Sequence, residues 1–343
     1  KAGANAAGEG KPKAAASKGG GAGAAAASPE PAGSLHARTL VEYPGATRVS
    51  LATAFLEDVE YHYEYGPSGG KLDRRTPPRE AKAGSVARDE ISGLEPGKSY
   101  AYRLAYAASG SGALSYGEPG AFSTQRPAGS PFTFVVEADP HLDENSSGAA
   151  YLGTLARMAA DSPDFAVDLG DTSMAEKLGE GAAGFLARNR LVRSYWDEVG
   201  GRMPFLMVLG NHDGEHGWAA PKGQPASAEA AAIRKTWLLD SGRAPPETYD
   251  VFSDTAYALE WGDALLVVLD PFSAEKAKPG EGGWDWSLGK AQYDWLAGLL
   301  ARSEAAYRFV FIHNMLGGKG KEARGGADYA DYYEWGGLDP GGA

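Results

Sequence analysis

The stretch Phe132-Thr-Phe-Val-Val-Glu-Ala-Asp-Pro-His141 is a short apolar run that stops on a carboxylate and an imidazole. Its phenylalanines and valines suit a pleated, buried surface, so Phe132 to Ala138 reads as a strand. Three later stretches repeat the design. Phe165-Ala-Val-Asp-Leu runs into Gly170-Asp171, Phe205-Leu-Met-Val-Leu into Gly210-Asn-His-Asp213, and Arg308-Phe-Val-Phe-Ile into His313-Asn314. Helical patterns lie between them. Ala149 to Ala160 carries Leu152, Leu155, Ala156 and Ala159 at helical spacing, Gly184 to Val199 predicts a second helix, and Ser287 caps a third that ends near Arg302. Ala256 to Leu269 predicts two strands, Tyr257–Trp261 and Ala264–Leu269, around the tight turn Gly262-Asp263. Strands alternating with helices predict an α/β domain, its β-sheets flanked by helices.

In α/β sheets the ligand site lies beyond the carboxyl ends of the strands. Four such ends gather Asp139, His141, Asp171, Asn211, His212 and His313 around one crevice. Carboxylate, imidazole and amide oxygen together are the donors that hard or borderline cations take. Two cations about 3.5–4 Å apart need a shared ligand, and a carboxylate such as Asp171 can bridge.

Upstream the pattern is different. Residues 1–34 are nearly all Ala, Gly, Lys, Ser and Pro, without an aromatic or large aliphatic side chain, and are expected to form a disordered tether. Residues 35–127 read as β. Thr47 to Ala54 alternates polar and apolar, Val59 to Tyr65 alternates at period two, and Tyr100, Tyr102, Leu104 and Tyr106 share one face. The run Gly93-Leu-Glu-Pro-Gly-Lys-Ser-Tyr100 fits a turn feeding a strand whose first tyrosine bonds back across the corner. On these features, residues 35–127 resemble an all-β fibronectin type III domain, an immunoglobulin-like sandwich. Arg126 to Pro131 reads as a linker, and the α/β domain occupies 131–343.

Asp139-Pro-His141, Gly170-Asp171, Gly210-Asn-His-Asp213 and His313 also look, in order and strand-end context, like the first four blocks of the calcineurin-like metallophosphoesterases. The resemblance implies a dinuclear centre of two divalent or trivalent ions (Mn, Fe or Zn). Asp139 and His141 would hold one ion, Asp171 would bridge, and Asn211 and His313 would hold the other. It implies hydrolysis of phosphate mono- or diesters by a metal-bridging hydroxide. His212 would act as the catalytic group facing the substrate, with Asp213 orienting it or the neighbouring backbone. The sequence departs from the family in two places. The purple acid phosphatases, which also carry a sandwich before the catalytic domain, have a tyrosine three residues after the bridging aspartate, where this chain has Met174. The family's last block, Gly-His-x-His, is missing from the 30 residues after His313, so the sequence is expected to be a C-terminally truncated fragment.

Composition narrows the function. The 343 residues carry a net charge of −12 with no cysteine, which excludes thiolate metal sites, a cysteine nucleophile and disulfides. The acidic balance points away from nucleic acid, and the small-molecule phosphoester that the resemblance implies would need the ions to supply the positive charge. No apolar run approaches a membrane span. The sandwich and tether suit an extracytoplasmic, periplasmic or secreted protein. The alternative reading is an extracytoplasmic binding or adhesion protein whose phosphoesterase domain is degenerate.

Overall fold

The computed structural model describes residues 35–143, 146–174, 181–213, 227–273 and 288–313. The expected tether, the Ser287 cap, Asn314 and the residues after it lie outside this set.

Nine strands build the N-terminal part: β1 (Arg38–Glu42), β2 (Arg48–Phe55), β3 (Val59–Pro67), β4 (Arg74–Arg75), β5 (Arg79–Ala81), β6 (Ser85–Ser92), β7 (Ser99–Ala108), β8 (Ser115–Tyr116) and β9 (Gly120–Ser123). One antiparallel sheet has the order β1-β2-β6; the other runs β4-β3-β7-β8, with β5 also on β3 and β9 on β7. The period-two pattern does its expected work. Val59, Tyr61 and Tyr63 of β3 and Tyr100, Tyr102 and Leu104 of β7 point inward against Val49, Leu51 and Phe55 of the other sheet. The Tyr100 hydroxyl accepts the Glu95 amide at 2.9 Å, the bond that the Gly93–Tyr100 run anticipates.

The rest of the chain follows as β10 (Phe134–Glu137), α1 (Gly148–Ala160), β11 (Phe165–Asp168), α2 (Gly181–Trp196), β12 (Phe205–Met207), α3 (Ser227–Trp237), β13 (Tyr249–Val251), β14 (Tyr257–Trp261), β15 (Ala264–Val268), α4 (Gly289–Arg302) and β16 (Tyr307–Phe311). Strands β10-β11-β12 form a parallel sheet; β13-β14-β15-β16 form a second sheet in which only the β15–β16 pair is parallel. The two sheets stack face to face. Phe134 and Phe165 project toward the second sheet, where they meet Phe311 and Trp261. On the opposite face, Phe205 stacks on Trp196 of α2 at 4.4 Å, and Glu137 receives the Tyr151 hydroxyl of α1. β15 is buried on both sides: Leu266 and Val268 join the inter-sheet core, while Leu265 and Val267 pack with Leu296 and Leu299 of α4. That explains its unbroken apolar sequence, because a strand covered on both faces has no polar positions to alternate with.

Helix α3 and strand β13 are not foreseen by the sequence pattern. The α3 segment is alanine-rich, and among its described residues the buried ones are Ala230, Arg234 and Trp237, with Ile233 partly buried beside them, too thin a signal to stand out.

The two parts share a joint. Leu40 and Tyr43 leave the sandwich to enter the core of the α/β part. Two arginines cross the boundary in opposite directions. Arg193 of α2, fully buried, donates to the carbonyls of Arg38 (3.2 Å) and Ala52 (2.7 Å) in the sandwich, to the Trp237 carbonyl, and to Asp197 Oδ1 at 2.6 Å. Arg88 of β6 pairs with buried Glu42 and donates to the Lys235 and Leu238 carbonyls at the end of α3. A guanidinium can serve several acceptors at once, so each arginine closes backbone groups that water cannot reach.

Arg193→Met should cost about 3–5 kcal/mol in urea unfolding, since it strands Asp197 and three carbonyls in the interior; a loss below about 1 kcal/mol would contradict this joint. Burial pushes the Asp197 carboxyl up to about 6 despite the nearby Arg193 charge. A carboxyl whose folded value exceeds its unfolded value of about 3.9 stabilises fully below pH 4 and loses that contribution as pH rises through 6. Asp197→Asn should therefore gain on the parent protein by roughly 3 kcal/mol between pH 4 and 7. A pH-independent difference in unfolding free energy would refute the assignment.

Candidate metal centre

The strand ends of β10, β11 and β12 lie side by side because their strands are parallel and in register, Glu137 opposite Asp168 and Asp168 opposite Met207. Glycine lets the loops that follow approach closely. A Cβ on Gly170, whose φ is +92°, would strike the Gly210 amide, and a Cβ on Gly210 would strike the Asp171 backbone and carboxylate. The Gly of Gly170-Asp171 and the Gly of Gly210-Asn-His-Asp213 are thus two halves of one contact.

Three of the site residues have left-handed backbones: Asp139 (φ 54°), His141 (φ 46°) and Asp171 (φ 56°). Each such conformation costs on the order of 1–2 kcal/mol for a non-glycine residue and persists only where the surroundings hold it. Here bonds between loops do the holding. The Asp139 amide donates to the Gly170 carbonyl and the His141 amide to the Asp171 carbonyl, each at 3.1 Å. The Asp171 amide donates to Asp213 Oδ2 at 3.0 Å. Asp213 also accepts the amides of Gly210 (2.8 Å), Thr172 (3.2 Å) and Ser173 (3.1 Å) and the Ser173 hydroxyl. Its two oxygens therefore organise the backbone of both loops.

The side chains converge above this frame. His141 Nε2 lies 3.4 Å from Asp139 Oδ1 and 3.5 Å from Asp171 Oδ2. On the other side, His313 Nε2 lies 3.3 Å from the same Asp171 Oδ2 and 3.2 Å from Asn211 Oδ1. Asp171 Oδ1 is turned away and accepts the His212 amide at 2.7 Å. The His212 ring stands edge-on to His141, centroids 6.0 Å apart. All five residues that the sequence pattern gathers as ligands therefore meet around one carboxylate, with His212 beside them. Met174, three residues after Asp171, is buried.

The donor set suits cations. His141 Nε2 is enclosed and has no hydrogen-bond partner. His313 Nδ1 sits 2.7 Å from the Leu169 carbonyl; as the protonated nitrogen there, it leaves the Nε2 lone pair facing two oxygen acceptors. Lone pairs aimed at one another need a proton or a metal between them. Burial pulls the His313 pKa down, but the bond to Asp171 and its charge outweigh this and raise it. Burial likewise opposes ionisation of Asp171, yet the His313 contact and the His212 amide hold its carboxyl below the ordinary value. A proton between these two groups would occupy the space that a cation competes for.

Beneath this layer is a second pair of carboxyls. Glu137 and Asp168 face the helices from adjacent strands. Burial pushes Glu137 up to about 7, and burial also raises Asp168. Tyr151 donates to Glu137 at 2.8 Å and in turn accepts from Trp196 Nε1. Asp168 accepts the Gly170 amide and the Thr172 hydroxyl. Glu137 is not singled out by the sequence pattern, although a glutamate inside Phe-Val-Val-Glu-Ala is the available signal. Asp143, which follows the first block, is buried rather than part of an exposed loop surface.

No protein-family model and no curated protein matches the chain. Among solved structures it is similar to PhoD, with a TM-score of 0.58, 18% identity, and coverage of 80% of this chain and 61% of that one. It is also similar to the purple acid phosphatase PPD1 from yellow lupin (Lupinus luteus) seeds, with a TM-score of 0.55, 13% identity, and coverage of 82% and 51%. The chain thus shares the fold of these two structures and spans between half and two thirds of their length.

Asp213→Ala would leave four amides and a hydroxyl without their acceptor. With each buried orphan costing about 1–3 kcal/mol, a loss of at least 3 kcal/mol in chemical denaturation is expected; a change under about 1 kcal/mol would show that Asp213 does not hold the loops.

Proposed function

We propose that the protein is a hydrolase of small-molecule phosphate mono- or diesters that works with two metal ions at this site. The observation that carries the reading is Asp171 Oδ2, which lies within 3.5 Å of both His141 Nε2 and His313 Nε2. A single carboxylate oxygen between two imidazoles is the arrangement that a shared ligand requires. Asp139 and His141 would hold one ion, Asn211 and His313 the other, and Asp171 would be shared. Bound ions of this kind supply Lewis-acid charge to a phosphate and lower the pKa of water at the site. The chain's own residues do the remaining work. His212, held by its amide to Asp171, presents its ring to the substrate and donates a proton or hydrogen bond to the departing oxygen. Asp213 keeps the loops in register. The protein itself is acidic, so the positive charge that an anionic substrate needs would come from the bound ions.

The proposed organisation of the described residues is a fibronectin type III-like sandwich over 35–127 followed by the catalytic domain from 131 onward. The length matched in PhoD supports a sandwich that belongs with the catalytic part, because four fifths of the chain is more than residues 131–313 supply. Among the described residues no helix is long and apolar enough to cross a membrane, which is compatible with the proposed extracytoplasmic setting.

The test is metal content and turnover together. Loaded with Mn(II), Zn(II) or Fe, the protein should take up two ions per chain and hydrolyse aryl or bis-aryl phosphate. Asp171→Ala should lose metal and reduce turnover by more than about 100-fold, beyond what loss of an outer hydrogen-bond partner usually costs. Parent protein that binds no metal and shows no turnover would favour the binding-protein reading instead.

A further inference from the structure

Asp168 ends β11 three residues before Asp171 and is fully buried on the helix-facing side of the parallel sheet. Its Oδ1 accepts the Gly170 amide at 2.7 Å, and its two oxygens accept the Thr172 hydroxyl at 2.9 and 2.8 Å. These donors belong to the residues on either side of Asp171. Asp213 meanwhile accepts the Asp171 and Thr172 amides. The turn Gly170-Asp171-Thr172 is therefore gripped by two buried carboxylates, one from its own strand and one from the loop after β12.

The grip falls where the backbone is strained, at the left-handed Asp171. It also falls where placement matters most. Asp171 Oδ1 is already fixed by the His212 amide, so the position of Oδ2 between His141 and His313 follows the backbone of this turn. Functional groups at such sites must be held to within about 0.5 Å by their supporting shell. The Thr172 hydroxyl is almost wholly enclosed and spans both Asp168 oxygens, the geometry of a brace across the turn.

We propose that Asp168 and Thr172 are positioning residues for Asp171, and that their mutual hydrogen bond sets the turn that brings its Oδ2 between the two histidines. The proposal rests on the reading of Asp171 as a metal ligand. Thr172→Val keeps the shape and burial of the side chain and removes only the donor, while Thr172→Ser returns it. In calorimetric titration of the 343-residue chain with Mn(II), Thr172→Val should bind about 10–100-fold more weakly, the usual cost of losing an outer partner, and Thr172→Ser should recover the parent affinity. Asp168→Asn should fall in the same direction as Thr172→Val. A second readout needs no metal: hydrogen exchange at the Asp171 and Thr172 amides should accelerate about tenfold or more in Thr172→Val while exchange in β14 and β15 stays at the parent rate.

Parent-like Mn(II) affinity in Thr172→Val, with Asp171→Ala losing it, would remove the positioning role and leave the metal reading standing. Exchange that accelerates throughout the protein would identify Thr172 as a packing residue and also overturn the proposal. Failure of the parent chain to bind Mn(II), or equal binding by Asp171→Ala, would remove the metal reading and the positioning role with it.

Discussion

The carboxylate of Asp213 is the constraint on which the site depends. Four amides and a hydroxyl from two loops end on its two oxygens. Amides buried at the ends of parallel strands have no neighbouring strand to bond to, and an unsatisfied buried donor is costly. One carboxyl group with two acceptor oxygens resolves several of them together. Because it draws on both loops, it also fixes their separation. That separation leaves no room for a side chain at Gly170 or Gly210, and it allows the strained backbones of Asp139, His141 and Asp171 to persist.

Around this point the protein is built as nested layers of carboxylate. The outermost, Asp139 and Asp171, faces imidazoles and is suited to cations. Asp213 and Asp168 lie behind and bond mainly to backbone and hydroxyl donors. Glu137 stands opposite Asp168 on the neighbouring strand and accepts the Tyr151 hydroxyl, which Trp196 reaches in turn. The environments differ, and the proton affinities follow: Asp171 is held below its ordinary value by an imidazole partner, while desolvation raises Glu137 and Asp168. The same residue chemistry thus meets imidazoles, backbone donors or a desolvated interior according to what surrounds it.

The sandwich is not a loosely attached module. Arg193 reaches from α2 to strand carbonyls of the sandwich, Arg88 reaches back to the end of α3, and Leu40 and Tyr43 complete the core beneath the parallel sheet. Trp196, one helical turn from Arg193, stacks on Phe205 of β12 and bonds to Tyr151. The joint and the floor of the site therefore share helix α2. This is a mechanical reason for the two parts to fold as one unit, and it agrees with the extent of the match to PhoD.

The sequence alone determined the strand-to-polar-cluster pattern, and with it the α/β class and the ligand candidates, because side-chain period and strand-end chemistry are local properties. Asp139, His141, Asp171, Asn211 and His313 were legible for that reason, as was the inward row of tyrosines in the sandwich. Helix α3 and strand β13 were not, since their burial comes from partners far along the chain rather than from a strong pattern of their own. Nor could any local rule give Asp213 its five donors, bring Asp168 and Thr172 together around Asp171, or send Arg193 into the sandwich. Those are tertiary decisions. A buried polar group takes whichever partner the packing brings within about 3 Å, and only the assembled sheets settle which one that is.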